Sequence, residues 1–538
     1  MKKITILASL FFVLTAQAQK RPDNWFNLDA SNDKVNGVST ERTYEELLKG
    51  KKSTTIIVGV LDSGVDYKHE DLKDIMWTNA GEIAGNGIDD DKNGYIDDIH
   101  GWNFMGNSKG ENVGKDNLEL TRVYKELKPK YDSTSVGFKD AIAGKKAYKY
   151  WQLVKADYEK QVSESVGKAN QYKFIKDALS SVVDKIKAEK GITKVTNEDV
   201  KNFTPIEQKD KQGKAIALAQ AAAGVEVEDL IKDLTEALSS MDGSMLDVTK
   251  DTRSIVGDNY NDITEKYYGN GDCKGPAAFH GTHVAGIIAA SRKNGIGMDG
   301  VADNVKIMSV RCVPDGDERD KDVANAIRYA VDNGAVILNM SFGKKYSPGK
   351  KAVDEAVKYA ESKGVLLIHA AGNASEDIDE IVHYPCKKLA NGKIPSNFID
   401  IGALSWKPDD DIVAPFSNYG KITVDIFAPG VDIHSTVPDD NQYKDASGTS
   451  MAAPVVAGVA AVLKSYYPFL TPKQIITVLK KSSIKSYKDK KVIKPDPTRK
   501  GDEMVLFSDL SNTGGIVNLY EAVKMVQAKY TRKIRAKF

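Results

Sequence analysis

The sequence predicts an α/β protein with a doubly wound, mainly parallel sheet flanked by helices, together with an inserted α-helical subdomain. Several short runs of Val, Ile and Leu are continuously apolar, which is typical of strands covered on both faces. Helical segments lie between these runs, and such alternation favours a parallel sheet. Residues 105–254 differ, because Lys, Glu, Asp, Ala and Gln dominate and the apolar spacing becomes helical.

Five runs bounded by Gly, Asn or Asp are predicted to form the buried strands of this sheet. Helices are expected between them, for example over Asp322–Asn333 and Lys351–Lys363. In doubly wound sheets the active groups gather at the carboxyl ends of strands. We therefore expect functional residues at strand ends or helix starts. The predicted strands are Thr55–Leu61, Val305–Val313, Ala335–Met340, Val365–Ala370 and Phe398–Leu404.

Two apolar stripes at helical spacing mark the inserted region, 105–254. They are narrow, which suits helices packed on each other or against the main body. The segment Thr204–Glu207 predicts a capping box that starts another helix. The first stripe contains Ala147, Trp151, Val154 and Tyr158, and the second contains Tyr172, Ile175, Leu179, Val182 and Ile186.

Residues 1–18 have the features of an export signal, because two lysines precede a short apolar stretch and Ala16-Gln17-Ala18 fits the cleavage rule. The signal predicts a periplasmic, cell-surface or secreted protein; a buried N-terminal helix is the alternative. Residues 19–50 are expected to be a short N-terminal lead. The α/β domain is expected to comprise 51–104 and 255–526, followed by a basic tail over 527–538.

The 76 Lys and Arg residues nearly balance the 75 Asp and Glu residues, so no global field favours nucleic acid or an acidic membrane. After the signal, the most apolar segment is Met451–Leu463, which is short and contains proline, and we interpret it as a buried helix. We therefore expect a monomer with no nucleic-acid partner and no membrane span. Among three cysteines, Cys312 is predicted to be buried, and Cys273 with Cys386 is the one disulfide to test.

Hydrolysis of an amide by a hydroxyl needs a nucleophile, a base, a group that orients the base, and oxyanion donors. Ser450, in GTSMAAP, stands where a tight turn meets an apolar helix, although an N-cap serine has the same surroundings. His280, in HGTHVAG, stands at a similar junction and is the candidate base. A zinc pair with His283 is the alternative, but zinc proteases space their histidines at i and i+4 beside a glutamate.

Asp62, in LDSGVD, directly follows a predicted strand, where a buried carboxylate must be paired. A turn-capping aspartate is an equally good reading of that position alone. Asn373, in AAGN, follows another strand, and its amide could donate to an oxyanion together with the backbone N–H of Ser450. An ordinary asparagine turn is the alternative.

Taken together, these four motifs in the chain order Asp, His, Ser resemble the subtilisin-like serine proteases. The resemblance covers Thr55–Phe104 and about Gly257–Val526. It implies a secreted serine endopeptidase with Asp62 orienting His280 and with Ser450 as the nucleophile. It also implies that Asn373 is the oxyanion asparagine. Extended polypeptide substrates would contact Ser341, Phe342, Gly343 and Gly372.

Two features depart from that family. The lead before the first strand is too short for a folded inhibitory pro-domain, and the insertion separates Asp62 from His280. We hypothesise that the insertion covers part of the substrate cleft, restricting substrates or substituting for the pro-domain; a surface decoration is the alternative. Two other functions also stay open: a non-catalytic binding protein on the same fold, and an acyl-transferring transpeptidase.

An acidic run over 89–98 predicts a structural calcium site. Oxygen-bearing residues at alternate positions and Gly94 at the turn resemble the first half of an EF-hand loop and the loops of calcium-dependent subtilases. The twelfth position is His100 rather than Glu, so a later aspartate would have to complete the shell. A solvated acidic turn is the alternative. The predicted ligands are Asp89, Asp91, Asn93, Tyr95, Asp97 and Asp98.

Overall fold

Seven parallel strands form the centre of the protein. In the computed structural model, which describes residues 21–132, 142–222, 224–240, 243–496, 498 and 503–530, the sheet order is β2-β3-β1-β4-β5-β6-β7. The predicted parallel α/β fold is therefore confirmed. The strands are β1 Ile56–Asp62, β2 Gly101–Asn103, β3 Val305–Arg311, β4 Ala335–Met340, β5 Leu366–Ala370, β6 Phe398–Leu404 and β7 Ile426–Pro429.

All five predicted strands are present, with bounds shifted by at most two residues at either end. Strands β2 and β7 were not predicted. They have three and four residues, too few to show a pattern of apolar residues that identifies a strand. Two antiparallel pairs lie outside the main sheet. They are β8 Ile433–Val437 with β9 Gln442–Ala446, and β10 Lys491–Ile493 with β11 Met504–Leu506.

Helices cover both faces of the sheet, as a doubly wound fold requires. Val58 and Val60 of β1 point into one core, which also contains the apolar residues of α7 and α10. Leu61 points into a second core on the opposite face, together with residues of α8 and α9. The helices of the α/β domain are α1 Thr40–Thr43, α7 Phe279–Ala289, α8 Asp320–Asp332, α9 Lys350–Ser362, α10 Thr449–Tyr466, α11 Pro472–Ser482 and α12 Leu519–Lys529.

The inserted helical region lies between β2 and α7. Its helix α3 has 49 residues and is about 73 Å long at 1.5 Å per residue. The first predicted stripe packs Trp151 and Val154 against α2, and the second packs Leu179, Val182 and Ile186 against the later helices. The helices of this region are α2 Glu119–Tyr131, α3 Ile142–Lys190, α4 Asn197–Asn202, α5 Gln208–Ala221 and α6 Val227–Ser240.

The helix predicted to start at Thr204 begins instead at Gln208, with Glu207 as its N-cap. The side chain of Lys214 donates to the carbonyls of Lys201 and Phe203, each at 2.7 Å. These hydrogen bonds fix the backbone just before Thr204, so the segment Thr204–Glu207 stays extended. The predicted capping box is therefore wrong, because a distant lysine decides the local conformation.

Residues 21–50, the described part of the predicted N-terminal lead, pack into the core of the α/β domain. Trp25 and Phe26 are 0% exposed and belong to the main core. Trp25 Nε1 donates to the Asp432 carbonyl at 3.2 Å, and the side chain of Asn518 donates to Ser39 Oγ at 2.7 Å. This segment therefore contributes to the stability of the α/β domain.

Both chain ends extend outside the described residues, and so does the predicted export signal, 1–18. Helix α12 ends at Lys529, so the predicted tail begins inside a helix, and 531–538 lie outside the description. Helix α10 is the one described helix long and apolar enough to cross a membrane, yet 89% of its 18-residue window is buried in the protein. It is the predicted buried helix.

The three cysteines are free thiols. The hypothesis of a bond between Cys273 and Cys386 is therefore wrong: Cys273 is buried, whereas Cys386 is half-buried in a loop and donates to the Lys388 carbonyl. Cys312 is 0% exposed, which confirms the prediction that it packs as a small apolar residue.

Candidate active site

The site begins at the carboxyl ends of two neighbouring strands. Asp62 ends β1, and Ser341 directly follows β4. The register pairs Leu61 with Met340. The next residues, Asp62 and Ser341, therefore lie side by side at the edge of the sheet, about 5 Å apart by the usual strand spacing. Both are buried.

His280, the second residue of α7, contacts Asp62. Its Nδ1 lies 2.7 Å from Asp62 Oδ1, which also accepts the backbone N–H of Ser63 at 2.7 Å. Burial lowers the pKa of His280, but the charge and hydrogen bond of Asp62 raise it by more, so that the pKa lies above the ordinary histidine value. The imidazole is 36% exposed, and with Nδ1 held by Asp62, Nε2 is the nitrogen that can exchange a proton.

Ser450, the second residue of α10, is half-buried beside Ser341. Its Oγ donates to the Ser341 carbonyl at 3.1 Å, and Ser341 Oγ donates to the Ser450 carbonyl at 2.9 Å. Helices α7 and α10 pack against each other; the start of α7 contacts Asp62, and the start of α10 contacts the neighbouring Ser341. In this arrangement the Ser450 hydroxyl bonds the Ser341 carbonyl rather than His280.

Asn373 follows β5 and holds the start of α10. Its Oδ1 accepts hydrogen bonds from the backbone N–H and the hydroxyl of Thr449, both at 2.9 Å, which leaves Nδ2 directed elsewhere. A Cβ placed on Gly448 would lie 3.5 Å from both Asn373 Nδ2 and Ser450 N. These two N–H groups therefore border the same small volume, as donors to a developing oxyanion must.

Asn418 positions the Asn373 loop and was missed by the sequence analysis. It is 0% exposed; its amide donates to the Ala371 carbonyl at 2.9 Å and accepts from the backbone N–H of Ala374 at 3.0 Å. Gly372 has φ of +103°, and a Cβ there would lie 2.5 Å from Asn418 Nδ2. Only glycine fits this position, because both its backbone angle and its surroundings exclude a side chain.

His369 and Asp400 form a second, fully internal pair that supports the Ser341–Gly343 segment. His369 Nε2 lies 2.9 Å from the Phe342 carbonyl oxygen, and Nδ1 lies 2.7 Å from Asp400 Oδ1. The imidazole is therefore held from both sides, by a carboxyl group and by a backbone carbonyl. The only sequence signal for this pair is a polar residue in each of two otherwise apolar strands.

The alternative of a zinc pair at His280 and His283 has no support in the geometry. His283 is 0% exposed, and its Nε2 lies 3.0 Å from the Lys444 carbonyl. Burial lowers the pKa of His283 to about 4. This histidine is therefore a neutral core residue that ties α7 to β9.

The acidic loop brings together part of the predicted calcium shell. Within the described ranges, the carboxylates that converge closely enough for one metal ion are those of Glu82, Asp91 and Asp98, with oxygens within 4.8 Å of one another. Asn93 Nδ2 donates to both Asp91 and Asp98, at 3.2 Å in each case. The side chain of Asn79 bonds the same two carboxylates at 2.9 and 2.7 Å.

The other predicted ligands face elsewhere. Asp89 accepts the backbone N–H groups of Asn93 and Gly94 at 3.0 and 2.8 Å and closes the turn. Asp97 accepts the N–H groups of the preceding loop at residues 85 and 87. The Tyr95 ring is buried against Trp102. Glu82, which the sequence analysis missed, lies outside the acidic run and is brought in by a loop.

Comparisons with known proteins show the family to which the chain belongs. A profile of the Subtilase family matches residues 53–509. The chain is 43% identical over 188 residues to the "Thermophilic serine proteinase" of Bacillus sp. (strain AK1), covering 35% of this chain and 42% of that protein. It is 34% identical over 259 residues to "Subtilisin DY" of Bacillus licheniformis, covering 48% of this chain and 83% of that protein.

Among solved structures, proteases from Pseudoalteromonas arctica PAMC 21717 are 28% identical with a TM-score of 0.37, and the match covers 46% of this chain and 70% of that one. The chain spans only 42–50% of the length of the first three curated relatives. The family profile nevertheless extends over most of the sequence, from before β1 to beyond α11. The chain belongs to the subtilase family.

Proposed function

We propose that this protein is a serine endopeptidase that cleaves polypeptides through an acyl-enzyme on Ser450. The observation that carries the proposal is the buried Asp62 carboxylate 2.7 Å from His280 Nδ1, with Ser450, at a helix N-terminus, bonded to the Ser341 segment that follows the neighbouring strand. His280 Nε2 takes the proton from Ser450 Oγ as the oxygen attacks the peptide carbonyl, and Asp62 stabilises the resulting imidazolium. His280 then protonates the leaving amine, and water attacks the acyl-enzyme by the same route in reverse.

The negative charge that develops on the carbonyl oxygen is stabilised by Asn373 Nδ2 and the backbone N–H of Ser450. The substrate backbone pairs with Ser341–Gly343 and is bordered by Gly372 on the other side. His369 Nε2 bonds the Phe342 carbonyl, so the segment Ser341–Gly343 is held in place before a substrate binds. Little conformational entropy of this segment is therefore lost on binding.

A fluorophosphonate probe tests this proposal, since it reacts only with an activated serine. We expect one modified residue, Ser450, and no labelling of Ser450→Ala or His280→Ala. Ser341→Ala is the control for a neighbouring serine and should still be labelled at Ser450. A folded wild-type protein that is not labelled would favour the non-catalytic binding protein. Peptide cleavage that yields mainly amide products when an amine is added would favour the transpeptidase.

We further propose export through the signal at 1–18 to the periplasm, the cell surface or the medium, as a monomer. A charged start, a short apolar stretch and a small-residue cleavage site together mark a secretory signal that is removed in the mature protein. Pulse labelling would reveal a precursor that is shortened at Ala18 as it leaves the cytoplasm. An unprocessed, cytoplasmic product would contradict the proposal.

A structural calcium ion is proposed at the acidic loop, with Glu82, Asp91 and Asp98 as its carboxylate ligands. The donor set fits, since calcium prefers several carboxylate and carbonyl oxygens. A bound cation would offset the mutual repulsion of these groups. Calcium at 100 times its Kd should stabilise the fold by about 2.7 kcal/mol, measured as a rise in Tm that EDTA reverses. Asp91→Asn should lose this response, whereas Asp74→Asn, in a nearby short helix, should keep it.

A further inference from the structure

The inserted helix α3 forms one wall of a cleft beside the predicted substrate edge. The cleft has a volume of about 370 Å³, and its floor and near side are formed by residues 343–346 and His383. Its far side is formed by positions 157, 160, 161 and 164 of α3. Their spacing of i, i+3, i+4 and i+7 puts them on one face of the helix. These residues are Asp157, Lys160, Gln161 and Glu164.

This wall is fixed to the α/β domain. Asp157 accepts a hydrogen bond from the Tyr346 hydroxyl at 2.5 Å. The buried ammonium of Lys344 lies 2.7 Å from Glu119 of α2, and Arg122 bonds the same carboxylate at 2.7 Å. The insertion is therefore docked on the segment that continues directly from Ser341–Gly343.

The cleft also lies close to the segments that are predicted to contact the substrate. Gly343 is two residues from Ser341, whose carbonyl accepts the Ser450 hydroxyl. On the other side, a Cβ at Gly372 would lie 3.6 Å from His383 Nδ1. The cleft thus opens from the space between the two substrate-contacting segments. Side chains of a paired strand alternate in direction, so a substrate bound there directs at least one side chain into the cleft.

The lining is mainly polar, although Leu118 and Leu120 also belong to it. It includes three acidic residues and three lysines, so the two signs balance. Lys160 lies 3.8 Å from Glu164, and Glu376 binds both Lys345, at 2.5 Å, and His383, at 2.6 Å. An apolar substrate side chain would displace water from these charged groups without replacing the hydrogen bonds that the water makes with them. An amide or hydroxyl side chain would replace them.

We propose that α3 is part of the substrate-binding site, and that Lys160, Gln161 and Glu164 form a subsite for an uncharged polar side chain on the acyl side of the cleaved bond. The inference rests on the proposed endopeptidase function and deepens it. The insertion is then a specificity element of the enzyme rather than a surface decoration.

The test compares the triple variant Lys160→Ala/Gln161→Ala/Glu164→Ala with wild type on peptide libraries varied at each of four acyl-side positions. We expect wild type to prefer Asn, Gln, Ser and Thr over Leu and Phe at one position by about tenfold in kcat/KM. The triple variant should lose most of that preference and keep the profile at the other three positions. Gln161→Leu should shift the preference toward apolar residues.

The chain offers a matched control on the same helix. Lys155 and Glu159 form an i,i+4 pair at 3.8 Å, as Lys160 and Glu164 do, but they do not line the cleft. Lys155→Ala/Glu159→Ala should keep the wild-type profile. An unchanged profile in the triple variant, with Ser450 still labelled by fluorophosphonate, would overturn the inference alone. An unlabelled wild type would overturn the proposed function, and the inference with it.

Discussion

Substitution of Asn373 can separate oxyanion stabilisation from helix capping, because the two ends of its amide have different partners. Oδ1 accepts from the N–H and hydroxyl of Thr449 at 2.9 Å, whereas Nδ2 borders the volume above Gly448. Asn373→Asp keeps an acceptor for Thr449 and removes the donor. We expect kcat to fall by about 10²–10³, equivalent to about 2.7–4 kcal/mol of transition-state stabilisation, with KM nearly unchanged.

Asn373→Ala removes both ends of the amide. It should show a similar loss of kcat and also destabilise the fold by about 0.5–2 kcal/mol, the usual contribution of a side chain that caps a helix start. The assay is kcat and KM on a peptide substrate, with thermal unfolding of the same samples. Asn391→Asp, in an exposed loop, is the control for the added charge. If Asn373→Asp keeps kcat within tenfold of wild type, Nδ2 does not stabilise the oxyanion.

Three further predictions concern the base, the oxyanion volume and the N-terminal segment. Because Asp62 raises the pKa of His280, activity should fall as the pH drops through a value above 6.5, and a kcat/KM profile with its half-point below 6 would contradict this. Gly448 has the extended backbone that any residue can adopt, but Gly448→Ala puts a methyl group 3.5 Å from both donors; kcat should fall while Tm stays near wild type. An unchanged kcat would show that the oxyanion does not occupy that volume. Trp25→Ala should lower the free energy of unfolding by about 3–5 kcal/mol. Ile206→Ala, at an 89% exposed position, should change it by less than about 0.5 kcal/mol, and equal effects would show that the N-terminal segment does not stabilise the core.

The insertion lines the cleft with one part and forms a small core of its own with another, and its sequence does not show where one part ends and the other begins. The inner part of α3 packs on α2 and lines the cleft, whereas the outer part has a small core of its own with α4, α5 and α6. Removal of the whole insertion would take Glu119 away from the buried Lys344, which would keep Asp320, at 3.0 Å, as its ion-pair partner, and loss of one partner of a buried charge is destabilising. Point changes on the cleft face of α3 are therefore the better test of specificity.

Much of the α/β domain could be predicted because its local patterns have one physical cause. A strand buried on both faces must be apolar throughout, so β1, β3, β4, β5 and β6 could be read from the sequence. Asp62 and Asn373 stood out because a polar residue at the end of such a strand needs a partner. Ser450 and His280 stood out because each begins an apolar helix after a glycine-rich or polar loop.

The tertiary structure decided which residues become neighbours. Asp62 and Ser341 lie side by side only because β1 pairs with β4 in a particular register. Glu82 joins Asp98, His369 joins Asp400, and Asn418 holds the Asn373 loop. No local pattern marks Glu82 or Asn418, and none shows that His369 and Asp400 would pair. The polar face of α3 likewise lines the cleft only because the tertiary structure brings Asp157 of that helix to Tyr346. The spacing of apolar residues within one segment shows which of its faces is buried, so burial can be predicted from that segment alone. A hydrogen bond or ion pair depends on a partner that can lie far away in the sequence, and only the folded chain brings the two residues together.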